Sequence, residues 1–158
     1  MRLSTKSRYG VRAIFDIAYH TDGRPTQVRT ISKRQGITPR YLEQIFQKLK
    51  RAGIVKSIRG PKGGYSLNRK PEKITVGDII RAVGESVQPV FCVWSPKAGL
   101  RCRRESHCVA TLIWKKMGEQ ISSYLDSVTI AQMCRMGGEI GLGRKKAIPR
   151  GGSRAKGG

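Results

Sequence analysis

Apolar residues near the start of the chain recur at the spacing of one helical face. The spacing predicts a first helix with Ser4 or Ser7 as its N-cap. Its apolar stripe consists of Val11, Ile14, Phe15 and Ala18. After a break at residues 21–27, a short second helix is predicted that is capped by Thr30 and closed by Gly36.

The strongest helical pattern lies in residues 38–53. Thr38 is a suitable N-cap, Pro39 stands at the first helical position, and Gly53 is placed to end the helix. The inward stripe is Leu42, Ile45, Phe46 and Leu49, which leaves an outward face of Arg40, Gln44, Gln47 and Arg51. Because this helix follows a short helix and a tight turn, the layout is that of a helix-turn-helix.

Two short apolar segments come next, joined by the glycine-rich sequence RGPKGG at residues 59–64. The segments 53–58 and 65–69 favour strands, and the glycines permit the positive φ angles of a tight hairpin connection. Three helices and a hairpin form a winged helix, so we expect a mainly α fold with a small β-hairpin. Arg59 and Lys62 on this wing would reach phosphates or the minor groove, although a hairpin with incidental charge is the alternative.

The second half of the chain predicts helices of a different kind. A helix over 73–86 begins at Thr75, residues 87–108 have no steady period, and helices are predicted over 109–126 and 129–135. The apolar face of the longer one includes Leu112, Ile113, Met117, Ile121, Tyr124, Leu125 and Val128. One small winged helix cannot cover so long a face, so we expect a homodimer that presents two reading helices to duplex DNA.

Four regions follow from these patterns. They are a winged-helix DNA-binding domain over 1–86, a cysteine-rich loop over 87–108, a dimerisation region over 109–136 and a basic disordered tail over 137–158. With 32 Lys and Arg against 10 Asp and Glu, the formal net charge is +22, which favours a nucleic-acid partner over an anionic membrane. No signal-peptide core or membrane-spanning run is present, so we expect a cytoplasmic protein with reduced thiols.

The cysteines indicate metal or redox chemistry. Cys92, Cys102 and Cys108 have the spacing C-x9-C-x5-C, next to His107, and can converge on one centre. An iron–sulfur cluster, zinc and free or redox-active thiols stay open, although the paired C-x2–4-C hooks of structural zinc sites are absent. Cys134 lies apart on an apolar segment and is expected to be a small core residue.

An enzyme is poorly supported by the sequence. It contains no nucleophile elbow, no phosphate-binding G-x-x-x-x-G-K and no C-x-x-C redox pair, and only 2 histidines. A structural nucleic-acid binder with zinc or inert cysteines is a further alternative.

The stretch YLEQIFQKLKRAGIVKSIRGPKGGY, together with ITVGDIIRAVGES and the three loop cysteines, closely resembles the IscR-like iron–sulfur cluster regulators over about residues 1–135. These are dimeric winged-helix transcription factors, whose relatives include the nitric-oxide-sensing repressor NsrR and the cysteine-metabolism regulator CymR. The resemblance implies a regulator that senses iron–sulfur, redox, oxygen or nitric oxide status through a 2Fe–2S or 4Fe–4S cluster. A DNA-binding regulator with zinc or redox-active free thiols and no cluster is the alternative.

The resemblance also implies roles for single residues. Glu43 stands where the family reads bases, with Arg40, Tyr41 and Gln44 as supporting contacts, and Arg59 looks like the arginine that enters the minor groove. The expected DNA-binding set is Thr38, Arg40, Tyr41, Glu43, Gln44, Arg59, Gly60, Pro61, Lys62, Gly63 and Tyr65.

Three cysteines look like the cluster ligands of this family: Cys92, Cys102 and Cys108. The first interval is longer than the C-x5-C-x5-C of IscR. The positions at which relatives supply a fourth ligand hold Thr111 and Arg8, which are poor ligands. His107 or Glu105 are therefore candidates for the fourth ligand, beside a small molecule or an open iron site.

Overall fold

The computed structural model describes residues 3–21, 23–90 and 107–143. The elements in chain order are α1 (Thr5–His20), α2 (Val28–Gln35), α3 (Pro39–Arg51), β1 (Val55–Ile58), β2 (Gly64–Leu67), a 3-10 turn (Pro71–Lys73), α4 (Val76–Ala82), α5 (Val109–Ser127) and α6 (Ile130–Glu139). Three helices followed by an antiparallel hairpin confirm the winged-helix prediction. Within the described ranges, the helices are all too short or too polar to cross a bilayer.

Helix α1 lies at the centre of the fold. It contacts α2, α3, α4, α6 and β2, so it is buried on more sides than its single predicted stripe indicated. Ala13, Ile14 and Ile17 are fully buried. The N-cap is Ser4, whose hydroxyl accepts a hydrogen bond from the Lys6 N–H at 3.0 Å, whereas Ser7 lies inside the helix.

Helix α2 begins earlier than predicted. Its N-cap is Gln27, and the N–H of Thr30 donates to the Gln27 carbonyl at 2.9 Å, so the prediction that Thr30 caps the helix was wrong. Gly36 ends the helix in the left-handed conformation, with φ 65°, as the pattern indicated. A buried ion pair joins α2 to α1, because both Asp16 oxygens accept from the Nε of Arg34 at 3.0 Å.

The hairpin pairs Val55 with Leu67 and Ile58 with Gly64. Its second strand begins at Gly64, one residue earlier than predicted. A third short segment, which the sequence did not indicate, extends this sheet. The N–H of Thr26 donates to the Tyr65 carbonyl at 2.8 Å, and the N–H of Tyr65 donates to the Thr26 carbonyl at 2.9 Å. The wing is therefore anchored to the loop that precedes α2.

Helix α4 is shorter than the predicted 73–86, and its first turn is a capping box. The Thr75 hydroxyl accepts from the Asp78 N–H at 3.0 Å, and the Asp78 carboxylate accepts from the Thr75 N–H at 3.2 Å. Partial burial on its own would raise the pKa of Asp78. The Thr75 hydrogen bond and the guanidinium groups of Arg81 and Arg69 outweigh it, so this pKa lies below its ordinary value.

Helix α6 returns the chain to α1. Thr129 caps it, Ile130 is fully buried, and Cys134 packs half-buried against the core, as predicted. The helix runs to Glu139, and Gly137 within it lies against the rings of Phe15 and Tyr19, where an added Cβ would make a tight contact. The predicted end at residue 135 was therefore wrong, and residues 137–139 belong to α6 rather than to a tail.

Candidate nucleic-acid interface

The outer face of α3 carries the predicted base-reading residues. Arg40, Glu43 and Gln44 are exposed and lie between the N-terminus and the middle of the helix. Thr38 occupies the N-cap, and its hydroxyl makes no capping hydrogen bond. Tyr41 is half-buried and packs edge-to-face on Tyr9 at 5.8 Å between ring centroids. The described contacts thus hold Tyr41 partly in the core and leave the other predicted side chains of this helix on the surface.

The two flanks of α3 face different parts of the fold. Lys50 donates from Nζ to the Ser57 hydroxyl of β1 at 2.7 Å, on the flank that faces the wing. Lys48 donates from Nζ to the Val83 carbonyl at 2.9 Å, at the end of α4. The sequence pattern had not assigned a role to either lysine, although their positions on the helical wheel place them on opposite edges of the outer face.

The tip of the wing is exposed and basic. Arg59, Gly60, Pro61 and Lys62 are all exposed, and the Gln27 side chain donates from Nε2 to the Pro61 carbonyl at 3.2 Å. Gln27 is a further residue that the sequence did not single out, because a hydrogen bond between distant segments leaves no local pattern. It holds the tip beside the start of α2.

The wing glycines are required for two different reasons. Gly60 has φ 107°, the positive value that the glycine-rich turn predicted. Gly63 has no positive φ, but a Cβ there would collide with the Ile58 carbonyl oxygen, and it is buried in the hairpin. Gly64 combines φ 146° with a close approach to the Thr26 backbone. Gly63 is thus a packing residue of the wing.

Tyr65 connects the wing to α3. Its ring stacks on Phe46 at 4.4 Å between centroids, with 11° between the ring planes. Burial, and then the nearby carboxylate of Glu43, raise the pKa of the Tyr65 hydroxyl. The ring therefore has a structural role, and a DNA contact of Tyr65 stays a prediction.

The charge around α3 and the wing is almost entirely positive. Glu43 is the only acidic residue between positions 28 and 71 of the sequence. Asp16, the nearest acidic residue on α1, is fully buried against Arg34. A polyanion would meet one carboxylate on this surface, and that carboxylate lies on the helix expected to read bases.

The predicted metal ligands are only partly within the described residues. Cys92, Cys102 and Glu105 lie outside them. Cys108 is half-buried at the N-cap of α5, and His107 is exposed beside it. In the described ranges, His, Cys, Asp and Glu side chains do not gather in groups of three that suit a metal. Cys108 stands where the N-terminus of α5 stabilises negative charge, which suits a thiolate ligand.

The segment that leads into the cysteine loop is tied to two helices. In this 84–90 linker, the Glu85 carboxylate accepts hydrogen bonds from the Ser7 hydroxyl at 2.5 Å and from the Ser4 N–H at 3.3 Å, and also from the Ser4 hydroxyl. Gln88 lies against Gly118 of α5, where a Cβ would collide with its amide oxygen. The linker therefore joins the first turn of α1 to α5.

Among the described residues, nothing covers an apolar face of helix α5. Val109, Leu112, Ile113 and Tyr124 are 75%, 68%, 61% and 68% exposed. Contiguous exposed apolar residues of this kind mark an interaction surface. Leu112, Ile113 and Tyr124 belong to the face that the sequence predicted to be covered by a second copy, and Val109 adds to it.

Comparison with known proteins places this fold among regulators. The model of the Rrf2 family, described as an iron-dependent transcriptional regulator, matches residues 3–136. The HTH-type transcriptional regulator IscR of Aliivibrio salmonicida is 43% identical over 133 residues, which cover 84% of this chain and 77% of that protein. IscR of Yersinia pseudotuberculosis is 42% identical over the same length.

Solved structures agree in fold. The structure of T. potens IscR has a TM-score of 0.73 and 37% identity, covering 90% of this chain and 93% of that one. CymR, the global cysteine regulator of B. subtilis, has a TM-score of 0.67 and 34% identity, covering 86% and 98%. These proteins bear the names of transcriptional regulators, which confirms both the predicted resemblance and the prediction that the chain is not an enzyme.

Proposed function

The chain belongs to the Rrf2 family of transcriptional regulators, and from this premise we propose that it binds duplex DNA as a homodimer whose affinity is set by an iron–sulfur cluster on the cysteine loop. The observation that carries the DNA-binding part is the juxtaposition of the exposed face of α3 with a basic wing tip. The Phe46–Tyr65 stack and the Lys50–Ser57 hydrogen bond hold the two together.

Base reading is the role of α3. The major groove admits one helix, and side chains near its N-terminus then reach the base edges. Arg40 and Gln44 donate hydrogen bonds suited to purine edges, whereas the Glu43 carboxylate accepts from cytosine N4 and is repelled by phosphate. Since Glu43 is the only acidic residue in this basic region, it favours sequences that offer it a donor and disfavours the others.

The wing supplies the second contact. Arg59 and Lys62 are exposed at a tip held by Gln27. An arginine at this place enters a narrow minor groove, where the negative potential is strongest. Gly60 leaves its exposed position on the tip without a side chain, so the backbone there can approach the duplex closely.

The uncovered face of α5 supports the dimer. A second copy would bury the exposed side chains of Leu112 and Ile113. Two α3 helices would then lie in successive major grooves on one side of the duplex, about 34–36 Å apart. The predicted operator is a palindrome of two half-sites.

The cysteine loop is the proposed sensor. Cys108, with Cys92 and Cys102, would hold the cluster, and His107 or Glu105 could complete the ligand set. When bound, the cluster would supply a redox- and ligand-sensitive centre at the start of α5. Glu85 then connects the loop to the first turn of α1, because it bonds to Ser4 and Ser7. A change in the loop would shift α1, and with α1 the packing of α3.

The DNA-binding part is tested with Arg59→Ala. We expect weaker binding to duplex DNA and a salt dependence whose slope falls by about one, because one phosphate-proximal charge is lost. Fluorescence anisotropy over a salt series measures both. Lys73→Ala, an exposed lysine in the turn that packs on α6, is the matched control. An Arg59→Ala slope equal to that of the control contradicts the role of the wing.

The cluster is tested with an absorption spectrum of anaerobically purified protein. We expect visible bands between about 320 and 460 nm, as thiolate-bound iron–sulfur centres show, and their loss in Cys102→Ser. Cys134→Ser, which alters a cysteine on α6, should retain them. Bands that persist in Cys102→Ser would refute this ligand set, and a colourless zinc-loaded protein would favour the regulator without a cluster.

A further inference from the structure

A small cleft opens beside α3 on the flank that faces away from the wing. Lys48 and Lys50 are two residues apart, about 200° around the helix, and Lys50 bonds to the wing strand while Lys48 bonds to the end of α4. The cleft lies on the Lys48 side. Its volume is about 110 Å³, and its lining residues are Lys6, Tyr41, Gln44, Ile45, Lys48 and Val83.

The chemistry of the lining suits an anion. Two ammonium groups, one phenol and one amide line the cleft, and no carboxylate does. Lys48 is held by one hydrogen bond to Val83, which leaves two of its N–H groups to bind a ligand. Glu85 of the linker, the acidic residue that contacts the first turn of α1, already accepts hydrogen bonds from Ser4 and Ser7.

The position of the cleft beside α3 favours one anion, a backbone phosphate of duplex DNA. A helix with its side chains is about 10–12 Å wide, and the major groove about 12 Å. A helix seated in the groove therefore has a phosphate backbone along each flank. On one flank of α3 stands the wing, and on the other this cleft, which shares Tyr41 and Gln44 with the predicted reading face.

We propose that the cleft is an anchoring site for one backbone phosphate of duplex DNA, held by Lys6 and Lys48. The proposal rests on the proposed DNA-binding function and extends it to α1, whose first turn the sequence did not assign to DNA. The protein then contacts both DNA strands beside α3: the wing contacts one strand, and the cleft contacts the other. The cleft and the 84–90 linker meet at the same turn of α1, since Lys6 lies between Ser4 and Ser7.

The salt dependence of DNA binding tests the site. Lys6→Gln should bind a random-sequence duplex and a duplex selected by the wild-type protein more weakly by the same factor, with a salt slope reduced by about one. Lys73→Gln is the matched control. If wild-type protein binds and the Lys6→Gln slope equals the control slope, the phosphate site is refuted while the proposed function stands. If wild-type protein binds no duplex at low salt, the proposed function itself fails, and this extension fails with it.

Neutral methylphosphonates placed singly along the selected duplex locate the contact. At one position the methylphosphonate should weaken binding by the wild type but not lower the affinity of Lys6→Gln any further. This position should differ from the one at which the methylphosphonate has no further effect on Arg59→Ala. Lys48→Gln should couple to the same phosphate as Lys6→Gln, with its free energy of unfolding measured in parallel because Lys48 also bonds to α4. The proposal is overturned if Lys6→Gln responds to the same phosphate position as Arg59→Ala, or if no phosphate position distinguishes Lys6→Gln from the wild type.

Discussion

At the scale of single residues, Asp78 shows how one side chain serves two purposes. It closes the capping box of α4 with Thr75 and receives Arg81 at 3.1 Å, which in turn reaches Asp126 of α5 at 2.8 Å. The hydrogen bond to Asp126 is the largest of the contributions that raise the pKa of Arg81. One carboxylate thus caps a helix and takes part in the contact between α4 and α5.

Asp78→Asn tests this ionisation through the pH dependence of stability. The pKa of Asp78 is lowered by folding, so its charge stabilises the native state above the unfolded pKa, about 3.9. That stabilisation is lost as the pH falls through the lower folded value. Urea unfolding at a series of pH values should therefore show a shallower acid decline for the variant. Parallel curves for variant and wild type would contradict the assignment.

At the scale of elements, helix α3 and the wing are packed together as one unit. Tyr65 stacks on Phe46, Lys50 bonds to Ser57, and Gln27 holds the wing tip. The isolated β-bridge at Thr26 adds two backbone hydrogen bonds to β2. The spacing of the wing from α3 is therefore set by packing and not by the hairpin alone.

Glu43 on helix α3 is predicted to set the preference of the protein for particular DNA sequences. Glu43→Ala should relax the preference for particular bases more than it lowers affinity for random duplex, because it removes a base contact and a repulsion of phosphate. Selection from a random DNA pool, with both proteins treated alike, measures the preference. Gln47→Ala, on the same exposed face, is the control. Equal loss of affinity on every sequence would show that Glu43 does not read bases.

How far the sequence predicted these elements depends on the range of the interactions involved. The stripe of Leu42 and Ile45, the left-handed Gly36 and the capping residue Thr75 are local signals, and all were confirmed. The bridge of Thr26 to Tyr65, the bond of Gln27 to Pro61 and the bond of Lys48 to Val83 are contacts between distant segments. No periodicity within one segment reports such contacts.

At the scale of the whole molecule, two features bear on the proposed dimer and its coupling to DNA: the exposed face of α5 and the 84–90 linker. Leu112 and Ile113 offer a surface to a second copy, while Glu85 binds the linker to α1. The cysteine loop lies between these two contacts in sequence. Under the proposed function, the loop would couple α5 of the dimer to the DNA-binding domain.

Leu112→Asp tests the dimer. A carboxylate on the apolar face would be buried without a partner on association, so we expect a monomer in sedimentation at concentrations where the wild type is a dimer. Binding to a palindromic duplex should fall much more than binding to random duplex. Gln132→Glu, at an exposed position of α6, adds the same charge away from this face and is the control. A Leu112→Asp variant that sediments as a dimer would place the interface elsewhere.

The central claim is that two copies of this chain hold duplex DNA through α3 and the wing, and hydroxyl-radical footprinting of the wild-type protein tests it most directly. On a duplex that the protein selects from a random pool, we predict two protected segments about one helical turn, 34–36 Å, apart, each flanked by protection of the adjacent minor groove. Uniform cleavage of that duplex at low salt would contradict the claim.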